Sequence, residues 1–548
     1  MNTLGKTTSV LVILLLGIVQ VFAQNNKITV RGMLTDDQNE PIIGASILEK
    51  NTTNGTISDI DGKYEIIVAA DAVLRFSFIG METVNVKVKG KNTIDVQLKD
   101  SGIMLDEVVA IGYGTVKRSE LTSAVSSVRG DELSKLPMTD ALQALNGKVA
   151  GLQITQAQGS PGAEVKVRVR GGISITQSNE PLYIVDGFPS PDGLRVLDPS
   201  DIGSIDVLKD ASATAIYGAA GANGVILITT KSGAEGKASI SFDSYIGIKK
   251  ISKRLGVLKP LDFVKLEYER AMLDGGMDES RKFTERYGLG WNEKESILAN
   301  MQNSWSDLPT AYGNRAGINW QDEIFDSRTP ISQNYKFSVN GGNKDTKYNV
   351  SFSHTDDDGV MKGSGYEKKN IRLRFDQKLS KKLSFSASVG YVWDKTEGMG
   401  SLNEGGRFSR MQHIIQYRPV ISRDGNDKDL LSMDIDPILD NDSGNVMVNP
   451  NTSIVEEKRK IDNKFLNLNA SLTYKILPNL IYRGMVGMGR RDMSNDVFFG
   501  ARSSQAQRSG GPYAELRKSD RDNWTYSNTL TYSPKIDKNH KLDIMIGQ

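Results

Sequence analysis

From about residue 236 to residue 548 the chain repeats a pattern of period two, and this pattern limits the possible folds more than any other feature. Tyr335, Phe337 and Val339, then Tyr348, Val350 and Phe352, then Ile371, Leu373 and Phe375 place apolar residues at every second position. The same spacing recurs in the runs around Ile240, Leu383, Leu466, Tyr482, Trp524 and Ile544, about nine runs in all. Polar partners such as Lys336, Ser338, Arg372, Arg374, Ser384 and Asn467 occupy the alternate positions. Such runs are strands with one apolar and one polar face. Apolar outside and polar inside is the lipid-to-lumen alternation of an outer-membrane barrel, although a soluble sandwich with one wet face alternates in the same way. Short links at residues 341–345, 380–382 and 478–479 alternate with long ones at 253–332 and 396–460. That asymmetry matches periplasmic turns and outer loops.

The N-terminal leader runs from Lys6 through an apolar stretch, Val10 to Val19, to a small residue at Ala23, and reads as a secretory signal over residues 1–23. It is short for a spanning helix, which needs about 20 apolar residues, and no later stretch approaches that length. Any membrane crossing therefore falls to strands. With no cysteine in the chain, disulfides, thiol nucleophiles and thiolate metal sites are excluded. A net charge of +2 gives no electrostatic reason to expect nucleic acid.

Residues 24–100 show short alternating runs separated by turn clusters, the pattern of a small β-sandwich. The Asp59, Asp61, Gly62 sequence resembles the start of a calcium loop, but the twelfth position is Ala70 where a bidentate Glu is required, so a hairpin turn is expected. His354, His413 and His540 stand in unrelated contexts, and no zinc-peptidase motif is present. Residues 101–115 carry Asp106, Glu107, Val108, Val109, Ala110 and Ile111 ahead of Gly112, Tyr113 and Gly114. This β-prone run either offers its backbone to a partner strand or is an ordinary buried strand ending in a glycine turn.

Residues 116–232 turn to mixed α/β texture. A short helix is expected from Asp140, stopped near Gly147. In the strand that follows, Val165, Val167 and Val169 alternate with Lys166, Arg168 and Arg170, giving one apolar and one cationic face. The glycine clusters at 112–114 and 218–224 lack the Gly-Lys-Ser/Thr and strand-first order of nucleotide loops, so they read as tight turns.

Four motifs, residues 145–152, 167–171, 179–187 and 201–218, resemble in order the plug domain of SusC/RagA-type TonB-linked outer-membrane transporters. The Pro41 to Ala45, Gly55-Thr56 and Asp59 to Tyr64 elements resemble the carboxypeptidase regulatory-like domain. Ala219-Ala220 departs from the plug pattern, where many relatives carry a polar or basic residue. The resemblance implies that residues 106–111 form a TonB box, captured by TonB from the periplasm. It also implies a SusD-like surface lipoprotein, an oligosaccharide or peptide substrate, contact with outer-membrane lipid, and a periplasmic N-terminus in a Gram-negative bacterium. Lys166, Arg168 and Arg170 are expected to hold the plug to the barrel wall, a solvated strand face being the alternative.

The resulting fold class is mainly β: an N-terminal β-sandwich, a mixed α/β plug, and an incomplete antiparallel transmembrane β-barrel. A plug of about 120 residues is about 35 Å across. Nine strands enclose only about 20 Å, whereas roughly 22, the number the resemblance implies, enclose about 45 Å. The C-terminal half of the barrel is therefore expected to be absent from residues 233–548. No catalytic cluster, cofactor motif or metal-ligand set is expected. TonB-dependent import is the favoured function. A TonB-linked signalling receptor and a structural adhesin are the alternatives.

Overall fold

The computed structural model describes residues 27–99, 108–111, 114–117, 125–134, 141–398, 410–432 and 448–548, less positions 37, 38, 51, 53, 79, 80, 157, 173, 177, 275, 535, 537–539 and 541. The leader, Asp106, Glu107, Thr139 and Asp140 lie outside the described residues.

The N-terminal unit is a two-sheet sandwich. Lys27–Thr35 pairs with Lys63–Ala69 and Val96–Gln97 in one sheet; Gly55–Ile57, Ser46–Glu49, Val73–Ser77 and Val84–Lys87 form the other. Alternation fixes which residues face inward: Val30, Leu34, Ile66, Val68, Leu74 and Phe76 are buried between the sheets. The Asp59 segment is a turn, in which the Asp59 carboxylate accepts the backbone N–H groups of Asp61 (3.0 Å) and Lys63 (2.8 Å), but it is not the expected hairpin: it carries the chain from Gly55–Ile57 of one sheet to Lys63–Ala69 of the other. Gly55–Ile57 is a strand where the sequence suggests only a turn.

In the second unit, a five-stranded plug sheet runs in the order Val125–Arg129, Ile202–Leu208, Val225–Thr230, Leu182–Val185, Phe188–Pro189. Its central strands are near-continuous apolar runs because both faces are covered. The hairpin Leu152–Gln156/Val165–Val169 and the short helix Ala141–Ala144 complete the plug core. Gly147 ends the helical segment at φ 75°, in keeping with the expected stop.

The wall is a nine-stranded antiparallel sheet in strict sequence order: Gly236–Ile248, Ile331–Gly342, Thr346–Asp358, Gly365–Lys378, Leu383–Glu397, Glu457–Leu477, Leu480–Phe499, Tyr513–Tyr532 and Ile544–Gly547. The sheet does not close, since its first and last strands are not paired with each other. Along the fourth strand Lys368, Asn370 and Arg372 are buried while Ile371 and Leu373 are exposed, so the polar face is the inner one. Val392 of the fifth strand and Phe465 of the sixth join the plug core itself. Among the described residues no helix is long and apolar enough to cross a membrane.

The link between the first two wall strands departs from the sequence reading. It folds into four helices, Pro260–Asp274, Met277–Arg286, Ile297–Tyr312 and Trp320–Phe325. They bury Val264, Phe283, Met301, Leu308 and Tyr312 against one another. The Trp320 indole N–H donates to the Arg418 carbonyl (3.0 Å), tying this module to the second long loop.

Candidate functional site

The plug meets the wall through charge. Val185 pairs with Phe188 across the two-residue turn Asp186-Gly187, whose φ values are 52° and 94°. Positive φ at both central residues is what a tight hairpin turn of this hand requires, and Asp-Gly supplies it at low cost. The turn carries the Asp186 carboxylate to the wall. Arg372 Nη2 lies 2.9 Å from one carboxylate oxygen and Arg374 Nη1 2.8 Å from the other. Thr230, on the neighbouring plug strand, donates its backbone N–H (2.9 Å) and its hydroxyl (2.7 Å) to the same carboxylate. The Thr230 hydroxyl in turn accepts from Arg372 and Arg374. Burial raises the Asp186 carboxyl's pKa, but Arg374, Arg372 and the two Thr230 bonds outweigh it and hold the group below the usual carboxylate range. Phe188 follows the turn onto Gly487 of the seventh strand, where a Cβ would come within 2.8 Å of its ring.

Further contacts repeat this polarity. Lys336 of the second strand pairs with buried Asp198 (3.2 Å), and Lys368 donates to the Leu197 carbonyl (3.0 Å). Asn370 donates to Asp201 (2.9 Å). Arg491 of the seventh strand pairs with Asp192 (3.3 Å), which Arg521 of the eighth also reaches. One pair runs the other way: plug Arg195 meets Asp394 (3.3 Å), which also accepts from Asn463. Asp198 and Asp201 are driven apart in acidity. Burial opposes ionisation of both, yet Lys336 and the Ser200 bonds bring Asp198 down, while burial and the Asp198 charge push Asp201 up.

The expected site residues fall in different places. Lys166, Arg168 and Arg170 are exposed on Val165–Val169 and just beyond it, as the alternation requires. Arg170 pairs with Asp210 (2.7 Å) inside the plug, and Lys166 stands beside Glu180, also of the plug. No contact of the three with the wall occurs among the described pairs. Most of the plug–wall ion pairs instead join plug acids to wall cations, and the plug cation that does reach a wall acid is Arg195. Val108, Val109, Ala110 and Ile111 form a strand that pairs with Gly114–Lys117 in a two-stranded sheet of their own. The alternating strands did point to Lys336, Arg372 and Arg374 as inner-face residues. The turn signal Asp186-Gly187 ahead of Phe188 was present in the sequence, but nothing in it named the two arginines across the lumen.

The family described as TonB-dependent Receptor Plug Domain matches residues 117–225, and the CarboxypepD_reg-like domain matches residues 30–110. The TonB-dependent receptor SusC of Bacteroides thetaiotaomicron is 38% identical over 371 residues, covering 66% of this chain and 33% of that protein. The TonB-dependent receptor P26 of Formosa agariphila is 31% identical over 511 residues, covering 92% of this chain and 47% of that protein. The chain thus spans half or less of the length of these curated relatives. Among solved structures, the RagAB peptide importer in its open-open state superposes with a TM-score of 0.62 at 23% identity, covering 80% of this chain and 48% of that one.

Proposed function

We propose that this chain, a relative of the SusC/RagA-type TonB-linked receptors that its motifs resemble, supplies the tether, plug and nine wall strands of an outer-membrane nutrient importer. Residues 101–115 are the tether and residues 116–232 the plug in this reading. TonB pairs with the 106–111 run from the periplasm, and a SusD-like lipoprotein covers the outer mouth. Oligosaccharides and peptides are the candidate cargo. The observation that carries the reading is the ionic seam between plug acids and the inner face of the wall.

That seam fits a gate. A stopper held by discrete ion pairs is stable at rest and can still be released by mechanical work, because the charge-assisted hydrogen bonds in each pair are lost once the partners move beyond hydrogen-bond distance. The strand Val125–Arg129 is one of the two edge strands of the plug sheet and the one nearest the tether in sequence. Force applied upstream reaches it first. No covalent step is needed. The test is uptake of labelled substrate by cells carrying the full-length protein with residues 105–115 deleted. Uptake should fall to background while surface display is retained, and unchanged uptake removes the mechanism.

A further inference from the structure

Val125–Arg129 is fastened to the plug by more than its ladder. The register with Ile202–Leu208 sets Val125 opposite Leu208, so the chain enters this edge strand beside Lys209. The two faces of the strand make different ties. On one, Val128 is buried in the plug core and the Ser126 hydroxyl accepts from Lys209 Nζ (2.6 Å). On the other, the Ser127 hydroxyl donates to the buried carboxylate of its register partner Asp206 (2.5 Å).

Lys209 also holds a point that does not belong to the strand. Its ammonium donates to the Ala150 carbonyl, in the turn that leads from the helix Ala141–Ala144 to Leu152–Gln156. Gly151 shapes that turn at φ 76°, a value glycine adopts freely, and the Leu152 N–H closes it on the Val149 carbonyl (3.2 Å). The next residue, Asp210, takes the Arg170 guanidinium (2.7 Å) and so fixes the far end of Val165–Val169. Lys209 and Asp210 thus gather three pieces of the plug at one corner, but of these ties only the Lys209 bond to Ser126 includes the strand that follows the tether. Tension arriving from residues 101–115 opens the antiparallel ladder rung by rung from Val125. Ser126 is second in that order, ahead of Ser127 and Val128. A neutral backbone bond contributes little net, whereas a bond from an ammonium is roughly twice as strong.

We infer that Lys209 is a positioning residue for plug release, the latch that keeps the loaded end of Val125–Arg129 in the sheet until pulling breaks its bond to Ser126. The inference rests on the importer reading and names the bond on which the pulling first does work. With the latch closed, the edge strand is held at the end where it would otherwise fray. When the bond to Ser126 breaks, the bond to Ala150 keeps the ammonium in place, so the latch can close again when tension falls.

The test is an optical trap on the full-length protein in lipid nanodiscs. Because residues 1–548 contain no cysteine, Ser101→Cys supplies a handle there on the tether, and the dwell before the first extension step is read at constant force. Lys209→Met, which keeps the aliphatic stem, and Ser126→Ala should each shorten that dwell about tenfold, as loss of one hydrogen bond to a charged group implies. Ser126→Ala should add nothing to Lys209→Met, since both remove the same bond. Arg170→Gln breaks the neighbouring exposed pair without touching the edge strand and should leave the dwell within about twofold. Thermal midpoints verify that the variants are folded, and Ser126→Ala carries the test alone where Lys209→Met does not fold. An unchanged dwell in Ser126→Ala, equal shortening by Lys209→Met and Arg170→Gln, or independent effects of the two latch substitutions would each overturn the assignment. Pulling the same samples through a bound TonB C-terminal domain separates the two readings. Failure of TonB to grip the tether, with the Lys209 effect intact under the handle, strikes the importer; a TonB-driven step indifferent to both latch substitutions strikes only the latch.

Discussion

Asp186 concentrates the energetics of the seam. Its side chain is 12% exposed and faces Arg372, 7% exposed, and Arg374, 19% exposed. Removing one member of a buried group of charges costs about 3–5 kcal/mol, because the survivors keep their desolvation penalty and lose their partner. Asp186→Asn should therefore destabilise the seated plug by about that amount, whereas breaking an exposed, solvent-screened pair such as Arg31–Glu65 should leave stability nearly unchanged. Amide exchange at Thr230 and its strand reports the difference. Acid should act on the same seat in two stages. The Asp186 carboxyl is held below its ordinary value, so its contribution is complete above pH about 4 and is lost as pH falls through the lowered value. Asp201 is raised, so the folded state takes up its proton first, and stability gains as pH falls from neutral toward the ordinary carboxylate value. The thermal midpoint should be level or rise slightly from pH 7 to about 5 and drop below about 4. Asp201→Asn should abolish the rise and keep the drop.

At the level of elements, the hairpin Leu182–Val185/Phe188–Pro189 holds to the wall, while Val125–Arg129, which buries Val128 in the plug core, pairs among the described strands only with Ile202–Leu208, one neighbour away from the sheet's centre. A strand peeled from an edge gives up its ladder bonds one after another rather than all at once. This predicts where the plug yields. Because the chain has no cysteine, staples can be introduced cleanly: Ser126→Cys/Val207→Cys and Arg129→Cys/Ser204→Cys join register partners of opposite parity, so one of them falls on the narrow, non-hydrogen-bonded pair. In the full-length protein the pair that closes should block uptake, and a reductant should restore it; uptake that continues through an oxidised staple places the yielding element elsewhere.

Legibility in the sequence also divides by element. All nine wall strands were readable, because a period of two survives wherever one face meets lipid or its equivalent and the other a polar interior. The helices within residues 260–325 were not. Met277–Arg286 is almost wholly polar and Ile297–Tyr312 contains Pro309, so each is held by its neighbours rather than by its own pattern. The seam was half legible. Alternation placed Arg372 and Arg374 inward, but their partner Asp186 lies 186 and 188 positions away, a distance over which local pattern carries no information. For the same reason the cations of Val165–Val169 invited a wall contact that the described pairs assign mainly to plug acids and to Arg195.

For the whole molecule the decisive quantities are widths and edges. Five wall strands, the second, fourth, fifth, seventh and eighth, contribute polar contacts to a plug about 35 Å across, which nine strands alone, enclosing about 20 Å, cannot surround. The sixth to eighth strands run 20 to 21 residues, about twice the 9–11 needed to span a bilayer. The sixth and seventh are joined by a tight turn at Pro478-Asn479, so their extra length lies on the long-loop side. Meanwhile Gly236–Ile248 and Ile544–Gly547 each pair on one side only, and in hydrocarbon every unpaired backbone group costs several kcal/mol. These 548 residues expressed alone in an outer membrane should therefore not give the heat-modifiable, SDS-resistant band of a closed barrel. Joining them to the remaining strands of a relative such as SusC, which is longer than the matched region, should produce that band with the plug protected from added protease. A heat-modifiable band from the 548 residues alone, with the plug protease-sensitive, would mean that the two edges had found each other and expelled the plug, since the lumen they enclose is too narrow to keep it.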